Sequence, residues 1–138
     1  MIGYLGMIGG LLALVVRGEL FSGSPVVLGL QAMAVLLFLW ARFTLGRRSY
    51  HVIADPTDGG LVAHGPYRFV RHPIYASMCL FTASGIAAHG SLGSAGWGVL
   101  IVGSAVMRIV SEEILVSARY PEYAEYQRRT WCFIPFIH

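Results

Sequence analysis

Four apolar runs separated by short polar segments dominate the chain. The runs cover residues 2–16, 26–45, 74–88 and 92–107. A helix needs about 20 apolar residues to cross the hydrocarbon core of a bilayer, with a lower limit near 17. The first run is short for that purpose, but Arg17 can extend it by snorkelling towards the headgroups. The pattern predicts an all-α fold, a polytopic integral membrane helical bundle with about four transmembrane helices and a short cytosolic C-terminal helix.

The polar segments between these runs set the order of the elements. The longest covers residues 46–72, and it holds a strong turn signal at residues 55–60 and a break at Gly65-Pro66. Pro73 suits the first turn of a helix. The link at residues 89–91 is so short that the third and fourth runs must form an antiparallel helical hairpin. Helical character continues past Met107 to Ala118, so the fourth helix is expected to project about two or three turns beyond the membrane.

These boundaries divide one domain, residues 1–138, into four parts. Two N-terminal spans occupy residues 1–45, a polar loop occupies 46–72, the helical hairpin occupies 73–118, and an interfacial or cytosolic segment occupies 119–138. That last segment contains a short polar helix at 122–130 and an amphipathic aromatic tail. Within the second run, Gln31 is expected to hydrogen-bond a neighbouring helix.

The composition supports a bilayer environment. Apolar residues make up 56% of the chain and charged residues only 12%, whereas charged residues are about a quarter of a soluble domain. The first run lacks a basic region before it and a clear cleavage site after it, so we expect a retained span and not a signal peptide. The protein is therefore expected in a membrane, which would be the cytoplasmic membrane in a prokaryote, in contact with membrane lipids.

Charge predicts the orientation in the membrane. All ten basic residues are arginine, and nine of them fall at the ends or in the loops that four spans place on one side. The positive-inside rule puts the 46–72 loop and both termini in the cytoplasm. The net charge of +3 is not gathered on a soluble face, which argues against nucleic-acid binding. Cys79 and Cys132 fit neither a disulfide framework nor a zinc spacing, so no metal site is predicted and both are expected to pack.

Two polar clusters, residues 64–75 and 108–113, lie on this cytosolic side and are expected to meet in one site. Arg108 and Glu112 are four residues apart and share a helix face. They are either an ordinary ion pair at the membrane boundary or a functional pair, because an ionisable residue beside a transmembrane segment needs a partner or a water-filled cavity. Glu113 points elsewhere on the helix, so one of the two glutamates is expected to be structural.

The first cluster leaves several roles open. His72 can transfer a proton or simply cap the following helix. Tyr67 and Tyr75 can stack on a heterocycle or hold a cation over a ring face, or they can anchor the chain at the interface. Arg68 and Arg71 are expected to meet lipid phosphates.

The order of these motifs resembles the isoprenylcysteine carboxyl methyltransferase and phospholipid methyltransferase family. The matching residues are Gly65-Pro66-Tyr67-Arg68-Phe69-Val70-Arg71-His72-Pro73-Ile74-Tyr75, Glu112-Glu113, Tyr120-Pro121-Glu122-Tyr123-Ala124-Glu125-Tyr126 and Phe133-Ile134-Pro135. The resemblance runs from about Leu61 to Pro135. It implies an integral membrane enzyme that uses S-adenosyl-L-methionine to methylate a lipophilic or membrane-associated acceptor. The C-terminal half of such an enzyme would hold this cofactor on the cytosolic side.

The resemblance also implies roles by position. Arg108 and Glu112 would be the catalytic residues, with Arg108 on the substrate side and Glu112 in contact with the cofactor, although Glu113 is an alternative for that contact. The cofactor-binding segment would comprise Leu61, Val62, Tyr67, His72, Pro73, Ile74 and Tyr75. Gly59 stands where the isoprenylcysteine branch often has a histidine, and the chain has fewer spans than eukaryotic members.

Methyl transfer from a sulfonium is an in-line displacement that mainly needs positioning and desolvation. A carboxylate acceptor needs only a cation such as Arg108 to orient it, whereas an amine or thiol acceptor needs a base, for which His72 and Glu112 are the candidates. A different class of function is a non-catalytic membrane protein that binds lipid headgroups or a partner subunit. Membrane sterol reductases have a related pocket for a nicotinamide cofactor, but this chain is too short for a sterol tunnel. The acceptor and the oligomeric state stay open.

Overall fold

The computed structural model describes residues 2–46 and 61–133, and its regular elements there are helices. Five α-helices follow one another: α1 Ile2–Val16, α2 Pro25–Leu45, α3 Pro73–His89, α4 Leu92–Arg119 and α5 Tyr123–Arg129. A 3-10 turn, Gly65–Arg68, precedes α3. The all-α expectation is confirmed, and each predicted run corresponds to one helix. The turn at 55–60, the tail after Phe133 and the departure at Gly59 lie outside the described residues, and the division into four parts stays a prediction.

The hairpin between α3 and α4 is made by two residues with opposite roles. Gly90 follows α3 in the left-handed conformation (φ 61°) and donates its N–H to the carbonyl of Ile86, which glycine allows without steric cost. Ser91 caps α4, since its side-chain oxygen accepts a hydrogen bond from the N–H of Ser94 at 3.0 Å. The chain therefore reverses within two residues, as the short link predicts.

Glycines bring α1 into close contact with α4. A Cβ at Gly3 would lie 2.7 Å from Cγ of Arg108, and one at Gly10 would lie 2.6 Å from Cγ1 of Ile101. The paired residue numbers rise along α1 and fall along α4, so these helices are antiparallel. The start of α1 therefore lies beside Arg108, at the end of the bundle that also holds the start of α3. We call this the site end.

The α1–α2 loop enters the bundle at the opposite end. Leu20 in this loop is buried, and its carbonyl accepts a hydrogen bond from Nε2 of Gln31 at 2.7 Å. The expectation that Gln31 hydrogen-bonds a neighbouring helix is therefore wrong, because its side-chain amide donates to a carbonyl of the α1–α2 loop. Gly85 of α3 lies against the same peptide, since a Cβ there would collide with the carbonyl oxygen of Leu20.

Among the described helices, α2 is the one that is long and apolar enough to cross a bilayer by length and composition. Residues Gly3–Val16 form a shorter apolar helix. Helix α2 is thus a candidate membrane span, and the count of four spans stays a prediction.

The contact between Gly85 and the Leu20 peptide predicts a difference between two glycine-to-alanine substitutions. Gly85→Ala should lower the unfolding free energy by about 1–3 kcal/mol, because the added methyl meets backbone that must shift. Gly96→Ala in α4 is the matched control: a Cβ there meets no described atom beyond its own turn of helix within 4 Å, so the higher helix propensity of alanine should leave stability equal or greater. Thermal unfolding of the detergent-purified variants measures both, and equal stability of the two variants would contradict the packing described.

Candidate active site

A buried arginine organises the first half of the site. Arg108 is 8% exposed. It donates from Nε to the hydroxyl oxygen of Tyr75 at 2.9 Å and from an η nitrogen to Oε1 of Glu112 at 2.8 Å. The Tyr75 hydroxyl in turn donates to the same Glu112 oxygen at 2.5 Å. The spacing of four residues correctly placed Arg108 and Glu112 on one face, and α3 adds Tyr75 to form a three-membered network.

Helix α1 places the aromatic ring of Tyr4 beside this network. The guanidinium carbon of Arg108 lies 5.0 Å from the ring centroid of Tyr4, within the range of a cation–π contact. Gly3 lets the backbone of α1 approach closely enough for this contact. The sequence prediction missed Tyr4. The available signal was the glycines at positions 3, 6 and 10, whose spacing indicates a close helix contact beside it.

The second half of the site is centred on Glu113. Its Oε1 accepts from Nε of Arg71 at 2.8 Å and from the hydroxyl of Tyr123 at 3.4 Å, and its Oε2 accepts from the amide of Gln127 at 3.1 Å. This carboxylate thus connects the segment before α3, helix α4 and helix α5.

His72 lies between the two glutamates. Its Nδ1 is 3.7 Å from Oε2 of Glu112, and its Nε2 is 3.2 Å from Oε1 of Glu113. The two glutamates have different main partners, but the expectation that they cannot both serve one small site is wrong, because the His72 imidazole contacts both carboxylates.

The expectation that Arg71 meets lipid phosphates is wrong. Arg71 is buried, and beyond its pair with Glu113 it donates to the carbonyl oxygens of Gln127 at 3.0 Å and Thr130 at 2.5 Å. A buried guanidinium needs all of these acceptors, because an unpaired charge in the interior is costly. Arg68 is exposed, and its guanidinium lies 4.9 Å from the Phe69 ring centroid.

The segment after α5 clamps the loop that precedes α3. Val70 and Trp131 form an isolated parallel bridge, with the N–H of Arg71 donating to the Trp131 carbonyl at 2.8 Å. The Tyr126 hydroxyl donates to the carbonyl of Tyr67 at 2.6 Å. Two backbone segments about 60 residues apart therefore hold each other in place at the site end, a pairing that the helical periodicity of the sequence does not predict.

The structure assigns different surroundings to the predicted cofactor residues. His72 and Tyr75 join Arg108 and Glu112 directly. Tyr67 is buried nearby, and burial together with the charges of Tyr126 and Glu112 raises the pKa of its hydroxyl above the usual value of 10.0. Pro73 is buried at the start of α3, and the remaining predicted residues are half-buried and offer apolar surface: Leu61, Val62 and Ile74.

Electrostatics favour an ionised carboxylate at Glu113, which lies beyond the apolar part of α4. Burial raises its pKa, but the hydrogen bonds from His72 and Arg71 outweigh burial and bring the pKa to about 2. A cavity of about 620 Å³ opens beside this carboxylate, and its lining residues are Arg71, Glu113, Ala124, Gln127, Arg128 and Cys132. Solvent therefore reaches the Glu113 side of the site.

Comparison with known proteins identifies the class of protein to which this fold and site belong. Residues 27–118, about two thirds of the chain, match the model of the isoprenylcysteine carboxyl methyltransferase (ICMT) family. The chain belongs to this family, which confirms the resemblance drawn from its motifs. The family is one of membrane-integral methyltransferases. No solved structure matches the chain.

Two curated relatives carry names from metal resistance. The chain is 32% identical over 121 residues to the cobalt-zinc-cadmium resistance protein CzcN of Cupriavidus metallidurans, covering 81% of this chain and 50% of that protein. It is 35% identical over 109 residues to the nickel-cobalt-cadmium resistance protein NccN of Alcaligenes xylosoxydans xylosoxydans, covering 75% of this chain and 45% of that protein. The chain thus spans about half the length of these relatives.

The Arg71–Glu113 pair predicts a large loss of stability for Glu113→Gln. Neutralising the carboxylate leaves a buried guanidinium without its anion, and breaking one partner of a buried pair costs about 3–5 kcal/mol. Glu125→Gln is the control, since it removes an exposed carboxylate that pairs with Arg129 four residues along α5. Thermal unfolding in detergent should show a much lower midpoint for the first variant and little change for the second. A small effect at position 113 would show that the pair does not hold the fold.

The low pKa of Glu113 also predicts a pH dependence. A carboxyl whose pKa falls from 4.5 to about 2 on folding stabilises the fold fully above pH 4.5, and this contribution is lost as the pH falls towards 2. The stability difference between wild type and Glu113→Gln should therefore be constant near neutral pH and shrink below about pH 4.5. Chemical unfolding of both proteins across that range measures the difference, and a difference that grows on acidification would have the wrong sign.

Proposed function

We propose that this chain is an S-adenosyl-L-methionine-dependent methyltransferase that acts on a lipophilic or membrane-associated acceptor. The observation that carries the proposal is the buried network of Arg108, Tyr75 and Glu112 beside His72, in a chain of the ICMT family. His72, Tyr75 and Glu112 come from the motifs on which the family resemblance rests, and the resemblance implies the role of Arg108 by position.

The surface of the bundle supports a four-span arrangement in a membrane. Large apolar side chains are exposed along α1, α2 and α4, whereas none of the large apolar side chains of α3 is exposed. So many exposed large apolar side chains suit a lipid environment. We propose that all four helices cross, with α1 and α3 spanning about 22 and 25 Å at 1.5 Å per residue. The distribution of arginines supports a cytoplasmic site end in this arrangement.

The residues at the site fit the cofactor by their chemistry. Oε1 of Glu112 accepts from Arg108 and Tyr75, while Oε2 lies on the side of His72 and can accept from an ammonium or a ribose hydroxyl. Aromatic surface from Tyr67 and apolar surface from Leu61, Val62 and Ile74 suit an adenine ring. When bound, S-adenosyl-L-methionine supplies an electrophilic methyl group on a sulfonium sulfur. The protein positions it and excludes water.

The acceptor side is assigned to Arg108. Its guanidinium is fixed by Tyr75, Glu112 and the Tyr4 ring, so it can orient an anionic acceptor group such as a carboxylate without reorganising. A carboxylate needs no deprotonation. An amine or a thiol would lose its proton to His72 or Glu112, the bases available in this network. We propose a carboxylate acceptor, because Arg108 is held in position by three neighbouring side chains and its charge is opposite to that of a carboxylate.

The first experiment is calorimetric titration of the detergent-purified protein with S-adenosylhomocysteine, the product form of the cofactor. The wild type and Glu125→Gln should bind it, and Glu112→Gln should bind at least tenfold more weakly, a loss of about 1.4 kcal/mol. Absence of binding by folded wild type would favour the rival in which the clusters bind lipid headgroups or a partner subunit.

The second experiment measures transfer of a labelled methyl group to S-farnesylcysteine, a carboxylate acceptor, and to phosphatidylethanolamine, an amine acceptor. Arg108→Ala should lower transfer to the carboxylate by about 100-fold or more, because orientation of the acceptor is lost. Arg129→Ala, at an exposed arginine of α5, should leave the rate unchanged. Full activity of folded Arg108→Ala would show that the acceptor binds elsewhere, and transfer to the amine alone would move the assignment to that acceptor class.

A second candidate function is a part in metal resistance, as the names of the two relatives suggest. One observation in this chain favours it: a histidine, a carboxylate and a thiol converge at the site end. Its test is survival of host cells in cadmium with the wild type or with a Cys132→Ala variant. Equal survival of cells with and without the wild-type chain would reject it.

A further inference from the structure

Three potential metal ligands from separate parts of the chain meet beside the Glu113 carboxylate. His72 stands just before α3, Glu113 lies in α4, and Cys132 follows α5; one donor atom from each lies within 4.8 Å of the other two. Nε2 of His72 lies 3.2 Å from Oε1 of Glu113, and Sγ of Cys132 lies 4.0 Å from the same oxygen. The carboxylate oxygen is thus shared between the imidazole and the thiol.

We propose that His72, Glu113 and Cys132 form a binding site for a divalent transition-metal ion of the zinc, cobalt and cadmium class. One imidazole nitrogen, one carboxylate oxygen and one thiolate sulfur match the ligands that Zn²⁺ takes in proteins. A thiolate disfavours the hard ions Mg²⁺ and Ca²⁺, which take oxygen ligands. On binding, the thiol of Cys132 would lose its proton to solvent and the imidazole would bind in its neutral form.

The ligand positions, 72, 113 and 132, do not have the spacing of a sequence motif, which is why the cysteine count alone indicated no zinc site. The bridge between Val70 and Trp131 brings the first and third ligands together, and the N–H of His72 donates to the Cys132 carbonyl at 3.0 Å. These backbone hydrogen bonds fix two of the three ligands with respect to each other before any ion arrives.

Arg71 is the main electrostatic obstacle, since its Nε lies 2.8 Å from Glu113 Oε1. Its guanidinium also donates to two backbone carbonyls, those of Gln127 and Thr130. Because a carboxylate has about four acceptor positions, Glu113 can bind an ion while it stays paired with Arg71. The carboxylates of Glu112 and Glu113 and the thiolate of Cys132 carry three negative charges. Arg71 and Arg108 carry two positive charges, so the site has one net negative charge and does not repel a divalent cation overall.

The cavity beside Glu113 supplies access and a further ligand. Both Glu113 and Cys132 line it, so a hydrated ion can enter and keep one water as the fourth ligand. Bonds of about 2.0–2.3 Å in a tetrahedral site require the donor atoms to stand closer than 4.8 Å. The ligands must therefore move together slightly, and the half-buried Cys132, in the segment after α5, can make this movement.

The test is titration of the full chain, purified without a polyhistidine tag, with Co²⁺. The wild type should bind one equivalent, with a sulfur-to-cobalt charge-transfer band and the visible bands of a tetrahedral site. Cys132→Ala should lose the charge-transfer band and weaken binding more than tenfold. Loss of a residue that only supports a metal ligand already costs about 10–100-fold in affinity, and Cys132 is a proposed ligand. The chain provides a matched control in its other cysteine, because Cys79→Ala should keep the band. A band that survives in Cys132→Ala or disappears in Cys79→Ala would overturn the proposal.

A second measurement needs no variant and decides the matter even if Cys132→Ala fails to fold. Cd²⁺ should protect Cys132 of the wild type from alkylation and leave the reactivity of Cys79 unchanged, as read by mass spectrometry of the two cysteine peptides. Equal alkylation of Cys132 with and without Cd²⁺ would overturn the site. Arg108→Ala, which removes the proposed acceptor-binding group, should still bind Co²⁺, so failure of the methyltransferase proposal and failure of the metal site are distinguishable.

Discussion

The buried pair of Arg71 and Glu113 is the interaction on which the site end of this protein depends. Its two members are 42 residues apart, and each also bonds to α5 or to the segment after it. One ion pair therefore connects the loop before α3, helix α4 and the C-terminal segment. An apolar contact could supply similar stability, but a buried charge accepts only a narrow set of geometries because an unpaired charge is costly. The pair thus fixes the relative positions of segments that also share an apolar cluster, in which Tyr75, Ile109 and Phe133 pack together.

The pair also fixes the residues proposed for chemistry. His72 follows Arg71 in the chain and contacts both Glu112 and Glu113, so the structural carboxylate and the proposed functional carboxylate are coupled through one imidazole. Arg108 and Tyr75 orient Glu112 from the other side. A substitution that weakens the contacts of Glu113 would therefore also disturb the position of Glu112, because His72 contacts both side chains. Stability and activity of variants at the site end must therefore be measured together.

The sequence predicts local features of this protein well and long-range ones poorly. Hydropathy, Pro73 and the short link at residues 89–91 predict the helices, because these signals act through local backbone geometry. The spacing of Arg108 and Glu112 predicts their pairing for the same local reason. Arg71 was assigned to lipid because its partner depends on how the C-terminal segment folds back, which no local pattern encodes. Tyr4 was missed because its role depends on the close approach of α1 to α4.

This contrast follows from how the two halves of the molecule are stabilised. Within the bundle, glycines and apolar side chains allow close approach and interchangeable packing, so many sequences would give similar helices. At the site end, each polar group needs a specific partner: the Tyr126 hydroxyl bonds the Tyr67 carbonyl, and Arg71 bonds two carbonyls as well as Glu113. The specificity of the fold is therefore concentrated where ligands would bind. The same residues that hold the C-terminal segment in place bring His72, Glu113 and Cys132 together, so the proposed metal site arises from the clamp that shapes the proposed active site.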